Sequence, residues 1–335
     1  MSGDDSLRTK LGVGDVKQAD IPELVGKVVL ERYKVEAVLG KGAMGTVFRG
    51  SHHKLARSVA IKVLHPHLVD DPTMLARFQR EAQIAARLQH PNLISVLDIG
   101  ETDDGQHVMV LELAKGPSLA DVMGKKPLAT ERTVKLVRQL LAGLDHAHHE
   151  GLIHRDLKPA NVMVETSDSG EEIARIVDFG IAILRNPDES IAGGKLTSTG
   201  QVLGTPLYMA PEQAKGEAFD HRIDLFALGV IVYEMLSGTW PFVGSAIEIA
   251  IANISQDPPP IADRAPGVKA DPLLERFARK LMARKLADRF ASAHDALVIL
   301  ELIQKDPVEA ALALGIMNVK RALDVIALPA PPKLK

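Results

Sequence analysis

The chain changes its hydrophobic period several times, and each change marks an element. Over residues 32–39 the period is two, with Tyr33, Val35, Ala37 and Leu39 on one face, and a strand pattern resumes over residues 46–49. Such alternation is the mark of a half-buried strand. Between the two runs lies Gly40-Lys41-Gly42-Ala43-Met44-Gly45-Thr46-Val47, a Gly-x-Gly-x-x-Gly segment. Strand, glycine turn, strand predicts a hairpin whose backbone can lie over phosphates without Cβ clashes. Dinucleotide-binding glycines open a helix, and these do not. In Val59-Ala60-Ile61-Lys62-Val63-Leu64, the same period puts Val59, Ile61 and Val63 on one face. Ala60 and Lys62 share the other, about 6 to 7 Å apart.

The period then lengthens to that of a helix. Leu75, Phe78, Ala82, Ala85 and Leu88 form a stripe over residues 73–89, with Asp71 as cap, Pro72 in the first turn and His90-Pro91 as the stop. Glu81 lies beside that stripe. A second helix is predicted over residues 130–149, with Val134, Val137, Leu141 and Leu144 inward and Gly151 after its end. Residues 223–236 are apolar on all sides yet too short to span a bilayer, which predicts a buried helix closed by Gly238. Asp224 is a carboxylate inside it. In the tail, Asp306 and Pro307 start a helix, and Leu312, Ile316, Val319, Leu323 and Ile326 follow at spacings of 4, 3, 4 and 3. That stripe must be covered, by the body of the same chain or, through residues 308–326, by a second copy or a regulatory partner. Residues 1–25 lack apolar periodicity and are expected to be loosely ordered.

Composition narrows the function classes. A length of 335 residues, 46% hydrophobic and 25% charged, is that of an ordinary soluble protein with about two folding units. The net charge of -3 offers no basic field for nucleic acid. The absence of cysteine excludes disulfides, thiolate metal sites and cysteine nucleophiles. The first residues lack the basic start and apolar core of a signal peptide, so a cytoplasmic location without a membrane segment is expected. His146, His148 and His149 are spread around a helix end without a ligand set that completes a zinc shell.

The densest chemistry lies in His154-Arg155-Asp156-Leu157-Lys158-Pro159-Ala160-Asn161 and in Asp178-Phe179-Gly180. Phosphoryl transfer needs a carboxylate to orient a hydroxyl, cations over phosphates, and oxygen ligands for a divalent metal. Asp156 suits the first role, Lys158 the second, Asn161 and Asp178 the third. Mg²⁺ takes one or two protein oxygens and completes its octahedron with water and phosphate.

Together these segments resemble the protein kinase family over residues 33–302. The glycine loop, Val-Ala-Ile-Lys, the helix glutamate, His-Arg-Asp-x-Lys-x-x-Asn, Asp-Phe-Gly and Ala210-Pro211-Glu212 stand in family order. The resemblance implies an α+β, two-lobed kinase fold: a small antiparallel β-sheet lobe with one main helix (residues 26–113), a hinge (112–117) and a larger, mainly α-helical lobe (118–302). Residues 303–335 would add a helical extension and a Pro-rich end. The implied activity is ATP-dependent transfer of a phosphoryl group to Ser/Thr hydroxyls of proteins. Its cofactors would be ATP and Mg²⁺, or Mn²⁺ in its place. Lys158 points to the serine/threonine branch, and the wording of the motifs to bacterial members.

Residue roles follow from the same resemblance. Lys62 would hold the α- and β-phosphates and pair with Glu81; Asp156 would be the base, and Asn161 and Asp178 the metal ligands. Leu39, Gly40, Lys41, Gly42, Ala43, Met44, Gly45, Thr46 and Val47 would cover the nucleotide. Val47, Ala60 and Met163 would enclose adenine, with Leu111 as gatekeeper and Glu112, Leu113 and Ala114 as hinge. His154 and Phe179 would form a buried stack between the lobes, Asp224 would brace the catalytic loop, and Glu212 and Arg289 would form a deep ion pair. Thr197 or Thr199 is expected to carry an activating phosphate, with Arg155 as its partner. Thr205 would position the substrate. A catalytically weak nucleotide-binding scaffold is the alternative class, against which Lys62, Glu81, Asp156, Asn161 and Asp178 are all present.

Overall fold

The computed structural model describes residues 24–42, 45–65, 72–178 and 206–315. Strands β1 (Val28–Val29), β2 (Tyr33–Gly42), β3 (Gly45–His52), β4 (Arg57–Leu64), β5 (Val96–Glu101) and β6 (His107–Glu112) form one antiparallel sheet in the order β1-β2-β3-β4-β6-β5. Helix α1 (Pro72–Ala85) intervenes between β4 and β5. Val35, Phe48, Val59, Ile61 and Val110 build the core on one face of this sheet, while Phe78 and Ala82 of α1 pack with Leu64, Met109 and Leu111 on the other. This is the small lobe.

The larger lobe is mainly helical: α2 (Leu119–Met123), α3 (Thr130–His149), α4 (Pro211–Lys215), α5 (Arg222–Ser237), α6 (Ala246–Ser255), α7 (Ile261–Arg264), α8 (Pro272–Leu281), α9 (Ala293–Lys305) and α10 (Pro307–Ala313). An antiparallel pair, β7 (Val162–Thr166) and β8 (Glu172–Ile176), faces the cleft. Helix α5 is the axle of the lobe, buried from Ile223 through Ser237. Burying a large apolar side chain stabilises by about 1.5 to 3 kcal/mol, so a helix covered on every side fixes whatever it carries. Gly238 closes it in a left-handed conformation, as predicted. Gly116, at φ 105°, lies where the chain crosses between the lobes, and a Cβ there would meet Val164 O at 2.3 Å.

Three local expectations are corrected. The alternation over residues 32–39 survives only to Val35, because the β2–β3 register shifts between Val35 and Ala37 and again between Val38 and Gly40, leaving Ala37, Val38 and Leu39 all half-buried. Helix α1 ends at Ala85 rather than near Gln89; a turn follows, in which Leu88 N donates to Ala85 O (3.2 Å), and Leu88 is still buried. In the tail, Asp306 caps α10 as expected, accepting from Glu309 N at 3.0 Å. The helix stops at Ala313, however, with Gly315 left-handed. Its buried residues are Ala310, Ala311 and Leu314, joined to the core of the large lobe, whereas Leu312 is 45% exposed. Ile316, Val319, Leu323 and Ile326 lie outside the described residues.

Candidate active site

Local structure places the loop from His154 to Lys158 with little freedom. Asp224, 1% exposed on α5, accepts from His154 N (2.8 Å) and His148 Nε2 (2.8 Å) through Oδ2 and from Arg155 N (2.9 Å) through Oδ1. Burial alone would raise this carboxyl, but the His148 hydrogen bond, the charges of His148 and His154 and the His154 N–H outweigh it and hold Asp224 below the usual carboxylate range. Arg155 adopts φ 68°, an uncommon conformation for a non-glycine residue, and its N–H is fixed there by Asp224. His154, fully buried, has its Nε2 2.9 Å from Val177 O, which ties the loop to the chain just before Asp178.

The polar side chains then converge. Lys158 Nζ donates to Asp156 Oδ2 at 2.8 Å, and Asn161 Nδ2 donates to Asp156 O at 2.8 Å. Because Asn161 spends its amide nitrogen on a carbonyl, its Oδ1 is the atom left for a cation. Val177 N donates to Asn161 O (2.9 Å), so the next residue, Asp178, is anchored beside it, at φ 64°. From the sheet, Lys62 reaches in, its side chain only 8% exposed, and Nζ donates to Asp178 Oδ1 at 3.0 Å.

The expected pair of Lys62 with Glu81 is not formed. Glu81 Oε1 faces Arg155 Nη2 at 3.4 Å instead. Desolvation pushes the Glu81 carboxyl up to about 7, with the charges of Arg155 and Arg80 opposing it only in part. Glu81 on α1 thus meets the loop that carries Arg155, while Lys62 meets Asp178, two residues after β8.

Val47 pairs with Lys62 across β3 and β4, and Leu111 pairs with Ala60 across β6 and β4. Leu39, Val47, Ala60 and Met163 are half-buried, Leu111 is 8% exposed, and Thr46 is buried. Gly42 pairs with Gly45 at the hairpin end, where a Cβ on Gly45 would meet Val63 O at 2.1 Å. Gly40 is buried beside them; Ala43 and Met44 lie outside the described residues. The Lys41 ammonium is buried without a hydrogen-bond partner among the described residues, which suits an anion there. Leu113 and Ala114 follow β6, half-buried. Glu112 is held by Arg175 Nη2 (2.7 Å); this hydrogen bond, with the charges of Arg175 and Arg57, outweighs burial and lowers its carboxyl. The Lys62 ammonium and the neighbouring oxygens of Asp178 and Asn161 are of the chemistry that fits a magnesium nucleotide.

Deeper in the large lobe, Arg289 grips Glu212 with two bonds (2.6 and 2.8 Å), and its guanidinium sits 5.1 Å from the centre of the Phe226 ring. Tyr208 OH donates to Glu234 Oε2 (2.7 Å) and accepts from Trp240 Nε1 (3.3 Å). His148, Arg175 and the Tyr208–Glu234–Trp240 chain escape sequence reading, since each lies far in sequence from its partner. Arg175, in a strand of otherwise ordinary polarity, offers no signal. Phe179, Gly180, Thr197, Thr199 and Thr205 lie outside the described residues.

Residues 33–303 match the family model described as protein kinase domain. The chain is 42% identical over 293 residues to serine/threonine-protein kinase pkn3 of Myxococcus xanthus, covering 87% of this chain and 53% of that protein. It is 36% identical to serine/threonine-protein kinase PknB of Mycobacterium tuberculosis over 78% of this chain and 41% of that protein. The chain thus spans about half the length of these curated relatives, or less. Among solved structures, the Mycobacterium tuberculosis PknI kinase domain is similar at a TM-score of 0.64 and 28% identity, covering 84% of this chain and 99% of that one.

Proposed function

We infer, because this chain belongs to the protein kinase family and the curated relatives it matches are named bacterial serine/threonine kinases, that it transfers the γ-phosphoryl group of ATP to Ser/Thr hydroxyls of proteins. The observation that carries this reading is the convergence of Asp156, Lys158, Asn161, Asp178 and Lys62 at one cleft, linked by contacts of 2.8 to 3.0 Å. Asp156 orients the acceptor hydroxyl and takes its proton. Lys158, on Asp156 Oδ2, is placed to meet the charge that develops on the transferred group. Asn161 Oδ1 and the Asp178 carboxylate would hold Mg²⁺, and Lys62 and the glycine hairpin would hold the nucleotide phosphates. When bound, the metal neutralises the phosphate oxygens. Leu39, Val47, Ala60, Leu111 and Met163 exclude water around the base, and the backbone of residues 112–114 would read its edge. Arg155 would receive a phosphate at Thr197 or Thr199, coupling activity to autophosphorylation.

The test is phosphate transfer to a generic protein substrate, and to the chain itself, followed by mass spectrometry. Asp156→Asn should lower the rate by about 10² to 10⁴-fold while leaving nucleotide binding in place. Equal, low incorporation by both proteins would instead favour the scaffold reading.

A further inference from the structure

The backbone around Asp156 is held by side chains that reach it from several elements. Arg155 N donates to Asp224 Oδ1 (2.9 Å), Asp156 N donates to His154 Nδ1 (3.3 Å), and Asp156 O accepts from Asn161 Nδ2 (2.8 Å). The carbonyl of Arg155 accepts from Gln213 Nε2 at 3.3 Å. Val177 O, 2.9 Å from His154 Nε2, needs a donor and Asp156 N an acceptor, which assigns the ring proton to Nε2 and leaves Nδ1 to accept. The peptide joining Arg155 to Asp156 is thus fixed at both ends, by His154 at its N–H and by Gln213 at its C=O. It follows a residue at φ 68°, a conformation that persists only where its surroundings over-determine it.

The geometry points to Gln213 as a positioning residue for the transfer step, one that holds the Arg155–Asp156 peptide against α4 and so sets where the Asp156 carboxylate stands. This rests on Asp156 being the base, as proposed above, and adds to it a residue that touches no reacting atom. The other atom of the same amide, Oε1, accepts from Ala210 N at 3.1 Å, which turns the Nε2 donor toward the loop. A helix cap needs only that acceptor; the donor to Arg155 O is what a cap leaves unused. The helix behind it is firmly held. Pro211, Glu212 and Ala214 are buried, Arg289 binds Glu212 twice (2.6 and 2.8 Å), and Gly216 closes α4 at φ 70°. Just before α4, Asn253 Nδ2 donates to Pro206 O and Met209 O, both at 3.1 Å. The Asp156 carboxylate hangs from the pinned peptide and carries Lys158 on Oδ2 (2.8 Å), so a shift of Arg155 O displaces both. A misplacement of about 1 Å in such a group can cost about 10²-fold in rate.

Three substitutions in the full chain separate the two bonds. Gln213→Glu keeps an acceptor for Ala210 N and loses the donor, Gln213→Lys keeps a donor and loses the acceptor, and Gln213→Met has neither. Phosphate transfer to a generic protein substrate is measured beside thermal melts, and hydrogen exchange of residues 152–158 is read by mass spectrometry. Gln213→Glu and Gln213→Met are expected to lose about 10- to 100-fold in kcat, with KM for ATP within about twofold of wild type, and to exchange faster across the loop. Gln213→Lys should stay within about threefold of the wild-type kcat, although it melts below Gln213→Glu. The inference is overturned if Gln213→Glu keeps the wild-type kcat and exchange, or if rate follows melting temperature across the three, the mark of a cap alone. Should Gln213→Met fail to fold, Gln213→Glu against Gln213→Lys decides. A wild type that transfers no phosphate would overturn the kinase reading, and exchange across the loop would still decide whether Gln213 holds it.

Discussion

Glu81 carries the clearest consequence at the scale of one residue. Its carboxyl is raised from an ordinary 4.5 to about 7 by burial. An acid whose folded pKa is raised keeps its full contribution to stability below the unfolded pKa and loses it as pH rises through the folded one. Wild type is therefore expected to lose stability between about pH 4.5 and 7 relative to Glu81→Gln, by roughly 1 to 3 kcal/mol, read from thermal melts across that range. A pH-independent difference would contradict the assignment. Glu212 and Arg289 form a buried ion pair, with side chains 5% and 0% exposed. Glu212→Ala should destabilise by about 3 to 5 kcal/mol by stranding the guanidinium, and replacing both partners with apolar residues should recover much of that loss in urea titrations. Both residues were legible from the motif order. Their energetic difference was not, because it depends on whether a partner arrives from elsewhere in the chain.

Among elements, the most periodic sequences behaved as their pattern says. Helix α3 runs Thr130–His149, the predicted span, and α5 is buried throughout because its sequence has no polar face. Elements fail where a residue with two roles meets a turn. In β2 the register shifts at Val35/Ala37 and again at Val38/Gly40, which changes the face of Ala37, Val38 and Leu39. In α10 the sequence stripe favours Leu312, yet Leu314 is the leucine that docks, beyond the last helical residue, where the chain bends toward Arg276 and Leu314 O accepts from its Nε at 3.2 Å. The contrast is testable: Leu314→Ala should cost about 2 to 5 kcal/mol, whereas Leu312→Ala should stay within about 0.5 kcal/mol, both from denaturant midpoints. A large loss at Leu312 would mean that its exposed face is covered in solution.

At the scale of the whole molecule, sequence and tertiary structure determined different things. The sequence by itself determined the inventory: the strands and helices from their periods, the order of the motifs, and the residue types able to carry phosphoryl transfer. Local propensity and the need to bury apolar faces act along the chain, so they can be read along it. Tertiary structure alone decided which charges meet. Lys62 faces Asp178 rather than Glu81, and Asp224 acquired His148 as well as the loop amides. A charge pair depends on a few ångströms and on the depth at which it is buried, and spacing in the sequence encodes neither.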